Sequence, residues 1–356
     1  GMQVLAWRNE IEQGQLVGPT IFTAGLKLEG KNSIWKGDLE IENEQELNQM
    51  LNQLDNFKVD FVKITENTLP GDLFLKSVKA AHARGYRVSG HVPIDLTIQD
   101  LVDAGFTSIE HASYLLRLGS DEAQIKADLL DGKITKAEAG VRYSSGFDQQ
   151  RAIENYKALG KSGIFVCPTL IGGRQLAYLN ESDHTKDESL QYLTEKFVSN
   201  YHWRIQRMRN ETPEQQQSRK DNYQLLMKQL PLFQESGIKL IAGSDAAALN
   251  TFVYPAESLI EELEIFEEAG LTPLQILQAA TLHGASYFGI SDKTAGLESG
   301  KIADLVLLDE NPLKSIKAIR TVNAVVAQGN YYSRAALNAI LKTARDEKLR
   351  LDNSRK

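Results

Sequence analysis

Continuous apolar runs alternate along the chain with stretches of helical period. Six runs stand out: TIFTAG (20–25), VDFVKI (59–64), YRVSGH (86–91), TSIEH (107–111), GIFVCPTL (163–170) and IKLIAGSD (238–245). Most lack the apolar–polar alternation of a half-exposed strand. They suit parallel strands covered on both faces. Between them, LFLKSVKAAHARG (73–85) sets Leu73, Val78 and Ala81 at helical spacing and stops at Gly85, a normal C′ residue. DLTIQDLVDAG (95–105) opens with Asp95 as the expected N-cap and stops at Gly105. The pattern predicts an α/β fold around a parallel sheet.

Val62, Val88 and Ile109 recur at intervals of one strand–helix unit. The next two intervals are longer and hold polar, helix-forming insertions at about 117–160 and 175–230. The second, rich in Gln, Glu, Lys and Arg over 186–229, reads as a helical cap or as a solvated decoration. After Asp245, helices are predicted at about 254–270, with Glu257, Leu259, Leu263 and Phe266 at helical spacing, and at 273–288, with Thr272 as N-cap and Pro273 in the first turn. ADLVLL and then VNAVVAQGNYY (322–332) form a small separate β element, and a charged helix that frays ends the chain. Six strands cannot close a barrel at the usual tilt and stagger, so an open parallel sheet competes with a barrel.

Composition narrows the function. With 356 residues and 42% hydrophobic content, the chain can bury one large core and an accessory piece. A formal net charge of -7 without a basic cluster sets nucleic acid aside. No apolar run reaches membrane-spanning length. The single cysteine, Cys167, excludes an internal disulfide and reads as a buried thiol. Gly1 before Met2 reads as the scar of a removed tag, so the compartment is not legible.

Four residues carry the candidate chemistry. Lys63, His91, His111 and Asp245 lie at or near the downstream ends of predicted strands. A barrel of parallel strands gathers such ends at one mouth, where a lysine, two histidines and an aspartate suit a metal. His91 and His111 stand 20 positions apart, one strand–helix–strand step, and so end adjacent strands. Neutral imidazoles suit Zn²⁺, Ni²⁺ or Co²⁺, although two hydrogen-bonded core histidines fit the same spacing. A lysine ending a buried strand is costly unless paired or modified. Lys63 therefore pairs with Glu66 or Glu110, becomes a carboxylated bridging ligand, or forms a Schiff base. Asp245 is either a turn aspartate or the acceptor of a proton from a metal-bound water. Glu110 points to the other strand face as a partner of the ligands, and His283 reads as structural. Tyr114, Arg174, Tyr178 and Tyr254 fall in loops after strand ends, within conceivable reach of substrate.

The strings AGSDA (242–246), EELEIFEEAGLTPLQILQAATLHGASYFGI (261–290) and GLESGKIADLVLLDENPL (296–313) follow AHARGYRVSGHV (81–92), AGFTSIEHASYL (104–115) and VCPTL (166–170). Together and in this order they resemble the amidohydrolase superfamily, in its imidazolonepropionase-like and prolidase-like branch. The resemblance runs over about 18–332. It implies a distorted (β/α)8 TIM-like barrel of the metal-dependent hydrolase type at 1–295, part of a small β-sandwich at 296–335, and a terminal helix or tail at 336–356. It implies a carboxylated Lys63 bridging divalent metals, His91 and His111 as ligands, and Asp245 as ligand and base. The implied metal is zinc and the implied substrate a small molecule. The implied reaction is hydrolysis of a carbon–nitrogen bond, in an amide, dipeptide or cyclic amide, by metal-bound hydroxide.

One part of the pattern is missing. The family ends its first strand in His-x-His, and the six histidines here stand at 82, 91, 111, 184, 202 and 283. TIFTAG resembles the family's third strand. The expectation is therefore an N-terminally incomplete barrel with at most one ion, impaired activity, and open sheet edges that favour a homo-oligomer. Two alternatives stand beside it: a catalytically inactive ligand-binding barrel, and a Schiff-base lyase using Lys63.

Overall fold

The computed structural model describes residues 1–247 and 249–354. The chain forms two compact units, one of Gly1–Cys167 with Leu232–Lys239, the other of Pro168–Pro231 with Leu240–Lys356. The first unit runs α1 (Met2–Glu12), β1 (Leu28–Gly30), β2 (Leu39–Ile41), α2 (Glu44–Phe57), β3 (Val62–Ile64), α3 (Gly71–Ala83), β4 (Val88–Gly90), α4 (Ile98–Ala104) and β5 (Ser108–Glu110). A 3₁₀ segment (Ala112–Gly119), α5 (Glu122–Leu130), α6 (Lys136–Ser145), α7 (Gln149–Lys161) and β6 (Phe165–Cys167) follow. The second unit holds α8 (Leu170–Ala177), α9 (Glu195–Ser199) and α10 (His202–Met208). The division between units falls at Pro231 within α11 (Pro213–Glu235) and again within β7 (Lys239–Leu240). Then come α12 (Glu257–Glu268), α13 (Pro273–Ala280), α14 (Leu282–Phe288), β8 (Leu305–Leu308), β9 (Val322–Ala327), β10 (Asn330–Ser333) and α15 (Arg334–Asn353).

The architecture is α/β, as the apolar runs predict. Seven strands form one sheet in the order β2-β1-β3-β4-β5-β6-β7, and the pairings from β2 through β6 are parallel. Leu28, Val62, Ile64, Val88, Ile109 and Val166 are fully buried, which explains the absence of alternation in their sequence. Helices cover the strands with matching stripes: Leu47, Leu51 and Leu54 on α2, Phe74, Val78 and Ala81 on α3, Ile98 and Leu101 on α4.

Local chemistry corrects several boundaries. TIFTAG is not a strand: Thr23 gives its N–H to the Asp60 carboxylate, Gly25 gives its own to Thr23 Oγ1, and Gly25 turns at φ +64°. Side chains take the donors that a ladder needs. The first strands are the three-residue LEG and LEI segments, β1 and β2, too short for a period to register. Asp95 does not cap α4. Thr97 does, exchanging hydrogen bonds with Asp100 in both directions, a reciprocal arrangement that a lone Asp95 cannot match. Cys167 is half-buried rather than buried.

Arg117 is a buried clamp in the first unit. Its guanidinium donates to the carbonyls of Val92, Pro93 and Leu96 and to Tyr143 Oη, and it pairs with Glu122 at 2.9 Å. The segment that follows β4 is thereby tied to the segment that follows β5.

In the second unit Thr272 caps α13 as expected, with Gln275 closing the capping box and Pro273 at the first turn. The predicted 273–288 helix breaks at Thr281, whose hydroxyl turns back to the Leu277 carbonyl at 2.7 Å. VNAVVAQGNYY is two strands, because Gln328 and Gly329 both adopt positive φ (50° and 80°) and make a tight hairpin turn. With β8 these form an antiparallel sheet, β10-β9-β8. The terminal helix does not fray within the described residues: Asp352 is buried, accepts the Glu195 N–H and pairs with Lys348. No described helix is long and apolar enough to cross a membrane.

Two neighbouring carboxyls on α12 carry a pH dependence. Glu262 is fully buried and accepts the N–H groups of Leu170 and Ile171 at the start of α8. Glu261 has a buried Oε2 with no hydrogen-bond partner among the described residues. Burial, then the negative charge of Glu257, push its carboxyl up to about 7 against the opposing Arg320. A carboxyl raised on folding lends stability that is full below its unfolded value of 4.5 and is lost as pH rises through about 7. Glu261→Gln is therefore expected to raise the melting temperature by about 2–4 °C at pH 8 and by little at pH 5. Thermal unfolding at both pH values checks this, and equal shifts at the two would refute it.

Candidate metal centre

The histidine pair is built by two strand ends. Gly90 closes β4 at φ +157°, and a Cβ there would lie 1.9 Å from the Ile64 carbonyl oxygen, so the close approach of β3 and β4 requires glycine. His91 follows, its N–H on that same carbonyl. His111 follows β5 at φ +72°, ψ +102°, an uncommon conformation for a non-glycine residue, with its N–H on the Cys167 carbonyl at 2.9 Å. The two rings come to 4.9 Å between centroids, inclined at 54°, and their Nε2 atoms face each other at 3.2 Å.

Glu66 completes the arrangement. Its Oε2 lies 2.8 Å from His91 Nδ1, and its Oε1 accepts the Tyr114 hydroxyl at 2.9 Å. Burial raises the Glu66 carboxyl, but the hydrogen bond and charge of His91 and the Tyr114 hydroxyl outweigh it and hold it below its ordinary value. Burial and the Glu66 charge push the Tyr114 phenol upward, so it remains a protonated donor. An ionised carboxylate only accepts, so the His91 nitrogen facing it carries the proton. In its neutral form His91 then has its lone pair on Nε2, the tautomer that a metal ligand needs.

The distances test whether an ion fits. An ion about 2.0–2.1 Å from each of two imidazole nitrogens at a near-tetrahedral angle spans about 3.3 Å between them. The observed 3.2 Å meets that requirement and is also the distance of a hydrogen bond between the two rings. The wider ligand set does not close in the same way: among the described residues no three His, Cys, Asp or Glu side chains gather at metal-ligand spacing.

The other sequence candidates fall as follows. Lys63 lies half-buried in β3, opposite Ser89 of β4, on the strand beside that of His91. It does not pair with Glu66 or Glu110. Glu66 is engaged by His91 and Tyr114, Glu110 accepts the hydroxyls of Ser89 and Ser108, and among the described residues Lys63 forms no ion pair. Asp245 belongs to the second unit, where it is exposed just beyond β7 at φ +54°. Its carboxylate accepts Asn250 Nδ2 at 2.7 Å, and Asn250 Oδ1 accepts Arg204 of α10 at 2.6 Å. His283, read as structural, has its Nδ1 on the Leu240 carbonyl at 2.7 Å. Tyr114 joins the histidines. Arg174 pairs with Glu268, the Tyr178 hydroxyl meets Gln224, and the Tyr254 hydroxyl binds Asp187. Glu66 is the member of this arrangement that the sequence named only as a partner for lysine. Its position three residues after Lys63, in the loop leaving a strand end, was the available signal.

His91→Ala and His111→Ala are each expected to abolish stoichiometric zinc binding, and Glu66→Gln to weaken it about 10- to 100-fold. Elemental analysis and calorimetric titration read both effects. Unchanged zinc binding in the two alanine variants would exclude this pair as ligands.

The amidohydrolase family model matches residues 3–332. Imidazolonepropionase of Thermoplasma volcanium is 30% identical over 102 residues, which span 28% of this chain and only 24% of that relative. Among solved structures, the bottromycin amidohydrolase aligns with a TM-score of 0.72 at 19% identity, over 97% of this chain and 72% of that one. A Xaa-Pro dipeptidase with bound methionine aligns with a TM-score of 0.63 at 19% identity, over 94% of this chain and 73% of that one. At such identities the structural likeness speaks for the fold, a TIM-like α/β barrel with a small antiparallel sheet. The match over nearly the whole chain places it in the amidohydrolase family.

Proposed function

We propose that this protein is a metal-dependent hydrolase of carbon–nitrogen bonds in small molecules: an amide, a dipeptide or a cyclic amide. The observation that carries the reading is the facing Nε2 pair at 3.2 Å with a carboxylate behind one ring. His91, His111 and a carboxylated Lys63 would hold a divalent ion, zinc by the chemistry of two imidazoles. Bound there, the ion supplies Lewis-acid polarisation of a carbonyl and a nucleophile at neutral pH. Glu66 keeps the His91 proton at Nδ1, and the Tyr114 hydroxyl fixes the second oxygen of Glu66. For Asp245, in the second unit, the proposed role is that of base: its carboxylate would take the proton of the attacking water and pass it to the leaving nitrogen, with Asn250 holding that carboxylate. The second unit also contains a cavity of about 560 Å³ lined by Leu190, Val198, Ile205, Met208 and Phe252, a size suited to a small organic molecule.

On this reading the chain, which contains no His-x-His, holds at most one ion and turns over slowly. The same observation favours a second reading, a ligand-binding barrel without catalysis. Hydrolysis of aminoacyl-proline dipeptides and N-acyl amino acids in added zinc separates the two. On the first reading, Asp245→Asn lowers turnover by about 10²–10⁴-fold while the melting temperature stays unchanged. Stoichiometric zinc without turnover of any such amide by the parent chain would establish the second.

A further inference from the structure

Glu29 lies in β1 and is completely buried. Its carboxylate accepts six hydrogen bonds. Oε1 receives the backbone N–H groups of Gly30 (2.8 Å), Thr68 (3.2 Å) and Leu69 (3.1 Å). Oε2 receives Thr65 Oγ1 (2.8 Å), the Asn67 N–H (3.0 Å) and Asn67 Nδ2 (2.8 Å). Burial alone would raise this carboxyl. The donors of Gly30, Asn67, Thr65 and Thr68 outweigh burial and hold it below its ordinary value.

Five of the six donors come from residues 65–69, the loop that leaves β3. That loop also rests on bare backbone: a Cβ on Gly30 would fall 2.4 Å from the Thr68 carbonyl group. The one residue of the loop that sends its side chain to the histidines is Glu66, to His91 Nδ1 and Tyr114 Oη. We propose that Glu29 is a positioning residue for the metal centre, acting in series through the 65–69 loop on Glu66, and through Glu66 on the tautomer and orientation of His91. The inference rests on reading His91 and His111 as metal ligands.

A carboxylate is required for this role rather than merely tolerated. Glutamine has nearly the same shape but turns one oxygen into an NH₂ group, which faces donors and leaves buried N–H groups without acceptors. Glu29→Gln is therefore expected to weaken zinc binding about 10- to 100-fold, as Glu66→Gln does. Because the two act in series, the double variant should bind no more weakly than Glu66→Gln alone. The His91 Nδ1–H proton resonance of the metal-free protein, shifted downfield by the carboxylate in the parent, should move or vanish in Glu29→Gln. Glu29→Asp keeps the charge and should restore part of both signals, and it serves where Glu29→Gln does not fold. A folded Glu29→Gln with parental zinc affinity and an unmoved His91 resonance would overturn the proposal, as would full additivity in the double variant. If His91→Ala and Glu66→Gln also leave zinc binding intact, the metal-centre reading fails. If they destroy it while Glu29→Gln does not, the positioning role alone fails.

Discussion

A single proton organises the candidate centre. It sits on His91 Nδ1 because the nitrogen faces a carboxylate that can only accept, at 2.8 Å. With that proton fixed, neutral His91 has its lone pair on Nε2, 3.2 Å from His111 Nε2. Everything that holds Glu66 in place therefore bears on the chemistry two bonds further on. The Tyr114 hydroxyl takes one oxygen, and the loop under Glu66 is pinned by a buried carboxylate whose direct donors are neutral main-chain and side-chain dipoles. The polar network is thus layered: a charge in β1 orders a loop, the loop presents a second charge, and that charge sets the state of an imidazole.

The strands that carry this network are short, mostly three residues, and they end abruptly. His111, Thr169 and Asp245 each turn through positive φ (72°, 53° and 54°) just after β5, β6 and β7, and Gly90 does the same at the end of β4. For non-glycine residues such turns cost on the order of 1–3 kcal/mol each and persist only where neighbouring contacts over-determine them. Here the turns redirect the side chains that follow the ladder. The buried apolar residues of the strands and the helix stripes above them supply the stability against which this strain is held.

How much of this the sequence discloses depends on the range of the forces involved. VDFVKI, YRVSGH, TSIEH and GIFVCPTL announce strands because two-sided burial imposes an unbroken apolar run, and the 20-residue step from His91 to His111 places them on neighbouring strands. TIFTAG carries the same signature and fails, because Asp60, far along the chain, takes the Thr23 donor. Asp95 and Thr97 are equally good caps by composition, and only the reciprocal bond from Asp100 decides between them. β1 and β2 leave almost no periodic trace. Glu29 looks like an ordinary surface acid in the sequence and Glu66 only like a partner for Lys63, since most of the hydrogen bonds that give them meaning run across 25 to 48 positions. The site is legible where a residue type and a strand end coincide, and illegible where a carboxylate acts through backbone.

Arg117 illustrates what that last distinction means for the tolerance of the chain to change. Its guanidinium grips the loop after His91 by the carbonyls of Val92, Pro93 and Leu96, not by their side chains. Carbonyls are the same in every residue. The clamp itself therefore sets the loop's length and course, not its residue types; Val92, Pro93 and Leu96 are held to apolar types by their burial instead. An insertion would break three carbonyl contacts at once.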